Sequence, residues 1–422
     1  MIKEYKLNNL SLNIFIFIPL FLITGPLLSD LAVVIISVIF LYSNFKNKSF
    51  YFYNNLYFKV FFVFFIICCA SSIISDYRGY SIKSSFSYLR FGIFSIAASI
   101  LLSISEKHII YLTKIFLILL AVLFIDSLFQ FFFGFNLLGW RYENLNFRVT
   151  SLFGDDEVLG SYVARFFPFI LSLILFCKKK FNFDKTDLLI YGVIFSSVII
   201  CSISGERTSF FLLIISLVTI LFTCPQLKKI MMWSIIISIL SSILMISTNK
   251  NIKERMVDQT IKQLGLSKSS DRLVIFSEIY EGHYKIAINM FKEKPILGHG
   301  AKSFRKFCAE PENFVSDHAC TTHPHNLFLQ LLAETGLIGF LIIFYIFMVI
   351  FFKLSKIFIL RMFNKKILFE DYYTLILIFY FVNLFPFAPS GNFFNNWLSI
   401  IYYLPAGYFL FLNNKILLKK NG

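Results

Sequence analysis

Charged residues are scarce in this sequence, and their scarcity excludes a soluble globular protein. Only 15% of the 422 residues are charged and 57% are hydrophobic, whereas soluble domains contain roughly 25% charged residues. The apolar residues form runs of about 15–25, a length that crosses the hydrocarbon core of a bilayer as a helix. These runs do not alternate with polar residues, so a membrane β-barrel is excluded as well. The sequence therefore predicts an all-α, polytopic membrane protein.

Four other features are missing, and their absence bears on the functional class and on the topology. The sequence has no glycine- and lysine-containing loop of the Walker type, which excludes a nucleotide-binding P-loop. No small-x-small cleavage site follows the first apolar run, so that run is predicted to be an uncleaved helix. We find no internal repeat and no low-complexity linker. Because transporters are typically built from inverted repeats, the sequence favours an enzyme over a transporter.

Twelve apolar runs are predicted to be transmembrane helices. They are residues 11–28, 31–45, 58–75, 91–105, 109–133, 160–177, 187–204, 208–224, 230–247, 326–352, 369–387 and 394–413. An even number of crossings places both termini on the same side of the membrane. The chain accordingly divides into 1–247 with helices 1–9, a large polar loop over 248–325, and 326–422 with helices 10–12.

The distribution of Lys and Arg predicts the orientation. Of the 40 basic residues, 21 lie in short loops and helix ends on the side of the termini, 7 lie on the opposite side, and 12 lie in 248–325. Short cytoplasmic loops are enriched in Lys and Arg. Both termini are therefore predicted to be cytoplasmic, with the large loop periplasmic, as in a protein of the bacterial inner membrane. Topology explains most of the net charge of +16, and no nucleic-acid partner is needed.

Within the large loop, segment 272–292 has apolar residues at a roughly helical spacing and a polar face. It is too polar to cross a membrane, and we expect helices on or near the membrane surface. Pro295, Gly298 and Gly300 end this pattern.

Two cysteines, Cys308 and Cys320, share the polar loop, whereas most of the seven lie inside apolar runs. A zinc site is one interpretation, because His318, His323 and His325 are near in sequence. The eleven residues between the two cysteines match no common zinc framework. In an oxidising compartment two cysteines in one loop form a disulfide more readily, and we predict that pairing.

Arg207, Arg272, His323 and His325 are the candidate functional residues, because they stand at the predicted outer ends of helices. Taken singly, each arginine is explained as an interfacial anchor and each histidine as a cap or a solvated residue. Another outer group, which fits a plain loop salt bridge, is Arg148 with Asp155, Asp156 and Glu157. Taken together, the first four suit a lipid-linked pyrophosphate. Arginine grips phosphate through a planar fork, and a neutral histidine accepts a proton from an attacking hydroxyl.

The spacing His325-Asn326, nine residues, Gly336, two residues, Gly339 resembles a motif of the bacterial O-antigen ligase family. Three further features are similar to that family over residues 140–400. They are Arg207 in the turn Gly205-Glu206-Arg207-Thr208, Arg272 at Asp271-Arg272-Leu273, and the stretch Pro295-x-x-Gly298-x-Gly300 in a long outer loop. The first 140 residues agree only in hydropathy.

The resemblance implies a many-helix fold grouped with lipid-dependent glycosyltransferases, and transfer of a glycan from undecaprenyl pyrophosphate to lipid A–core on the periplasmic face. It implies that Arg207 and Arg272 hold the donor pyrophosphate and that His325 is the base. His323 is expected to orient a substrate or to pack. Neither a metal nor a nucleotide cofactor is implied. O-antigen polymerases share much of the same set, so a polymerase is the alternative, and a transporter of lipid-linked sugars is a third.

Three residues of the motif region also have a physical interpretation. Asn326 is predicted to cap the helix that begins there. Gly336 and Gly339 lie on nearly one face of that helix and allow close helix packing. Glu334 is an ionisable residue inside a predicted span, which is either functional or paired within the bundle.

Overall fold

The computed structural model describes residues 9–141, 148–181, 185–248, 253–258, 261, 278–363, 365 and 369–420. Over this part of the chain there are fourteen α-helices and no β-strand, which confirms the all-α prediction. The helices are α1 (Asn9–Phe21), α2 (Pro26–Asn47), α3 (Leu56–Ile73), α4 (Arg78–Ile104), α5 (Lys107–Phe133), α6 (Leu159–Phe181), α7 (Thr186–Ile203), α8 (Arg207–Thr223), α9 (Lys228–Thr248), α10 (Glu278–Glu293), α11 (Phe304–Phe307), α12 (Leu327–Met362), α13 (Asp371–Asn383) and α14 (Asn396–Lys420).

The helices coincide with the predicted membrane spans. Among the described residues, eight helices are long and apolar enough to cross a membrane, namely α2–α7, α9 and α12. Shorter apolar helices, α1 and α8, overlap two more of the predicted runs. The last two runs overlap α13 and α14. Each of the twelve runs therefore overlaps a helix, although the first run, 11–28, also includes the start of α2. The protein is a polytopic membrane protein.

Helix α6 lies at the centre of the bundle and is almost entirely buried. It packs against α5, α7, α8 and α13, while α14 packs against α4. The sequence explains this position, because α6 carries large apolar residues on all sides, including Phe166, Phe167 and Phe169, which are fully buried. A helix that is apolar all round has no face to present to water. Its N-terminal half also carries Arg165, which is only 4% exposed.

Helix α10 occupies part of the segment that was predicted to be amphipathic, and residues 272–277 lie outside the described residues. Its apolar face, with Ile286 and Met290, is buried in a small cluster that includes Phe304 of α11 and Ala333 of α12. The helix therefore packs against the protein. This cluster fixes α10 over the N-terminal part of α12, where the histidine motif lies.

Candidate active site

Helix α12 is interrupted close to its N-terminus. Gly336 has φ 63° and ψ −169°, which are not helical values, and the segment 295–300 lies in the break. Backbone hydrogen bonds join the segment to both sides of the break, from His299 N to Ala333 O (3.0 Å), from Gly300 N to Glu334 O (2.8 Å) and from Leu337 N to Pro295 O (2.8 Å). The 295–300 segment and the Gly336 region thus form one backbone junction. In it, the segment hydrogen-bonds backbone groups that the helix break leaves without an intrahelical partner.

Glycine is required on both sides of this junction. A Cβ on Gly298 would lie 2.6 Å from Gly336 N, and a Cβ on Gly336 would lie 2.3 Å from Ile296 O. The positive φ of Gly336 also disfavours any side chain. The predicted role of Gly336, packing on one helix face beside Gly339, is therefore wrong. The close approach is real, but the partner is the 295–300 backbone, and the helix is broken where a continuous face was expected.

The histidine motif is held by the loop between α13 and α14. Asn326 caps α12 as the sequence predicts, since its side-chain oxygen accepts hydrogen bonds from two N–H groups of the first turn (3.0 and 3.1 Å). Its amide nitrogen donates to Pro386 O (2.8 Å). Ser390 N donates to His325 O (2.9 Å), and His325 has a φ of 53°. The cap and the loop together fix a backbone conformation that few residues adopt.

Three imidazole rings lie together at this point. The ring centroid of His325 is 4.1 Å from that of His323 and 5.2 Å from that of His283, which α10 supplies. The ring of Tyr280, one turn earlier on α10, lies 5.8 Å from His325. His283 is almost fully buried, whereas His325 is partly exposed.

Hydrogen bonds distinguish the roles of these rings. His323 Nε2 donates to Ser390 O (3.0 Å), so its Nδ1 accepts from Thr322 Oγ1 (2.8 Å). His283 Nδ1 donates to Ala319 O (2.7 Å). Burial and the neighbouring imidazoles lower the pKa of His323 to about 3 and that of His325 to about 4. His325 is therefore neutral near pH 7 and able to accept a proton, while the other two rings are held by backbone carbonyls.

The turn between α7 and α8 is fixed by Glu206. Its carboxylate accepts hydrogen bonds from Gly160 N (2.6 Å) and Ser161 N (3.1 Å) at the start of α6, where the helix dipole favours an anion. Burial raises the pKa of Glu206 to about 7, against the effect of these N–H donors. A Cβ on Gly160 would come within 2.5 Å of Ser204 Oγ, so glycine permits the close approach.

Arg207 follows this turn directly and is the first residue of α8. The guanidinium interacts electrostatically with Tyr280 and Arg148. Because Tyr280 also contacts the His325 ring, the structure brings two of the predicted site residues, Arg207 and His325, to a common neighbour. The second predicted arginine, Arg272, lies outside the described residues.

Arg148, Glu157 and Glu334, three of the remaining sequence candidates, are paired within the protein. Arg148 forms an ion pair with Glu157. Glu334 is fully buried, and its carboxylate accepts hydrogen bonds from Gln330 Nε2 (2.9 Å) and Phe304 N (3.1 Å). Of the two interpretations of Glu334, the structure agrees with pairing inside the bundle. The side chains of Asp155 and Asp156 are exposed.

Cys308 and Cys320 are joined by a disulfide with their Cα atoms 5.2 Å apart, so their sulfurs are not free to bind zinc. Among the described residues, a different group brings metal-ligand atoms within 4.8 Å of one another, namely Asp76, Glu293 and His299. Lys294 Nζ lies 2.5 Å from Asp76 Oδ2 and forms an ion pair with that carboxylate.

Sequence reasoning missed Glu206 and His283. Glu206 stands in the turn that was singled out for Arg207, but no local pattern links its carboxylate to its partners at the start of α6. His283 lies three residues before Ile286 and seven before Met290, so the helical spacing puts it on the apolar face of the amphipathic segment. That spacing was a signal for its burial, but it did not identify its hydrogen-bond partner, Ala319 O.

Comparison with protein families matches residues 191–344 to the O-antigen ligase family. The matched segment runs from α7 to the first part of α12, and it includes the Arg207 turn, the 295–300 junction and the histidine motif. A comparison with curated proteins finds no match to the chain. The family match agrees with the predicted resemblance and supports a function of the ligase or polymerase type. Residues 191–344 of the chain are therefore similar to the O-antigen ligase family.

Proposed function

We propose that this protein is an O-antigen ligase of the bacterial inner membrane. It transfers a glycan from undecaprenyl pyrophosphate to a sugar hydroxyl of lipid A–core on the periplasmic face. The observation that carries the proposal is the placement of His325. Its ring is neutral, partly exposed and fixed by a clamped backbone, and it shares the neighbour Tyr280 with Arg207. A neutral base and a guanidinium that share one neighbouring tyrosine suit the displacement of a pyrophosphate by a hydroxyl.

The reaction is a single displacement. His325 takes the proton of the acceptor hydroxyl, the oxygen forms a bond to the anomeric carbon, and the bond from that carbon to the pyrophosphate oxygen breaks. Undecaprenyl pyrophosphate leaves with the electron pair, and the anomeric configuration inverts. Arg207 and Arg272 hold the pyrophosphate and stabilise its charge, so positioning and charge neutralisation contribute most of the catalysis. The arginines take the place of a divalent metal ion.

An O-antigen polymerase, which joins lipid-linked repeat units, is the second candidate, because the same family match covers it. Deleting the gene and staining lipopolysaccharide after electrophoresis separates the two. We expect lipid A–core without O-antigen, together with accumulated lipid-linked polymer, because the polymer has no route to the core. Core that carries a single repeat unit would identify a polymerase instead. Lipid A–core without O-antigen, together with donor that is retained in the cytoplasmic leaflet, would indicate a transporter.

The orientation is tested with reporters that are active only in the periplasm. We expect a fusion after Lys420 to be silent and an insertion near Lys262 to be active, because Lys and Arg are enriched in loops on the side of the termini. A cytoplasm-specific reporter at the same two positions is the control and should give the inverse result. Reversal of both signals would place the histidine motif on the cytoplasmic side and contradict the proposed donor.

A further inference from the structure

A second polar site lies next to the histidine motif. A cavity of about 330 Å³ is lined by His323 together with Arg165 of α6 and by Lys302 and Arg305 near α11. Asn392, which lies between α13 and α14, and Trp397, in the first turn of α14, also line it. No Asp or Glu is among the residues that line it. Three cationic side chains thus face one small space without an acid in its wall.

Some of the donors in this wall lack acceptors. The ion pairs of the described residues include none of the three cations. Arg165 is only 4% exposed and donates through one nitrogen to Asn383 Oδ1 (3.0 Å). Buried atoms of two other lining residues, Arg305 Nε and Asn392 Nδ2, have no hydrogen-bond partner in the described part of the chain. Asn392 itself is 5% exposed.

Such an arrangement is unfavourable unless something fills it. Buried charges and buried donors are costly when they are not paired. Burial lowers the pKa of Lys302, and the nearby Arg305 lowers it further. A close acid, Glu334, is already bonded to a side-chain amide and a backbone N–H. An anion in the cavity would supply the missing acceptors and neutralise the excess charge.

The position of the cavity indicates which substrate carries that anion. Arg207 interacts with Tyr280, whose ring lies next to that of His325. On the cavity side, His323 lines the cavity, and its ring centroid is 4.1 Å from that of His325. The cavity thus adjoins the proposed base through His323. Because His325 acts on the acceptor hydroxyl, a group held in the cavity is within reach of the acceptor.

We propose that this cavity binds a phosphate group on the acceptor glycan and so positions the acceptor hydroxyl against His325. The inference rests on the proposed transfer reaction and adds a site to it. Lys302, Arg305 and the Asn392 amide donate to the phosphate oxygens, and the apolar face of Trp397 accompanies the sugar ring that carries the phosphate. Convergent polar groups beside an aromatic wall are the usual form of a small-ligand site. Positioning by a remote charged group is one way in which binding energy supports catalysis.

The test compares two acceptors, lipid A–core and the same material after removal of its phosphates. With the purified full-length protein in detergent, Lys302→Gln and Arg305→Gln should each raise KM for the phosphorylated acceptor about 10-fold, the size of effect expected for a lost charge-assisted hydrogen bond. KM for the lipid-linked donor should stay unchanged. For the dephosphorylated acceptor the variants and the wild type should be alike. Lys306→Gln is the matched control, because Lys306 is exposed and lies outside the cavity wall.

Binding of labelled acceptor without donor separates this inference from the transfer reaction. The wild type should bind the phosphorylated acceptor about 10-fold more tightly than the dephosphorylated one, and Lys302→Gln should bind both equally. A rise in donor KM in place of acceptor KM would overturn the proposal and assign the cavity to the donor. Equal binding of both acceptors by the wild type would overturn it as well. If binding depends on the phosphate but no transfer occurs, the result rejects the proposed ligase reaction and still supports the phosphate site.

Discussion

His325→Ala is expected to reduce glycan transfer about 10²–10⁴-fold, the usual cost of losing a general base. The reason is that His325 is the partly exposed member of the imidazole cluster, while His283 and His323 each use a ring nitrogen to bind a backbone carbonyl. Donor binding should be retained, because the base acts on the acceptor proton. The measurement is in-vitro transfer from lipid-linked glycan to lipid A–core by purified variants, with EDTA present throughout.

Two variants accompany this measurement. His318→Ala is the matched control and should retain activity, since His318 is an exposed histidine of the same loop. His323→Ala should lose less activity than His325→Ala, because its ring orients the loop at Ser390 and does not take the proton. Near-normal turnover by His325→Ala would show the proposed mechanism to be wrong. Complete loss of activity in EDTA would reject the metal-free account and direct attention to the group formed by Asp76, Glu293 and His299.

The fold was predictable because lipid leaves the backbone few alternatives. A long apolar run must satisfy its own hydrogen bonds, so the run at 109–133 becomes the helix Lys107–Phe133. Helix ends were less predictable. The first predicted span, 11–28, ends at Phe21 in the structure, because Gly25 and Pro26 start the next helix. Hydropathy alone does not mark such a boundary, since the residues on both sides of it are apolar.

The motif residues were predictable as a set, but their geometry was not. Asn326 as a cap follows from local sequence, because the groups that it satisfies are two and three residues away. The break at Gly336 depends on Ile296 and Gly298, which approach its backbone from a distant part of the chain. A helical periodicity assumes a continuous helix and cannot show that another segment enters it. The same limit applies to Arg165, whose burial beside the cavity depends on tertiary packing.

Arg207→Lys and Arg272→Lys are each expected to lose most transfer activity, about 10–100-fold, although the positive charge is kept. Lysine is a point charge and cannot form the paired, planar hydrogen bonds by which a guanidinium holds a pyrophosphate, and a charged hydrogen bond contributes about 1.5–3 kcal/mol. The loss should appear in the donor, as a raised KM or a reduced kcat, with acceptor KM unchanged. Arg141→Lys is the matched control, because Arg141 is an exposed arginine in the loop before α6 and should tolerate the change.

If both lysine variants kept full activity, a positive charge alone would be sufficient to hold the donor, and bidentate binding of the donor pyrophosphate by arginine would be rejected. If Arg207→Lys raised the acceptor KM instead, the two sides of His325 would be exchanged, with the pyrophosphate in the cationic cavity and the acceptor beside Tyr280.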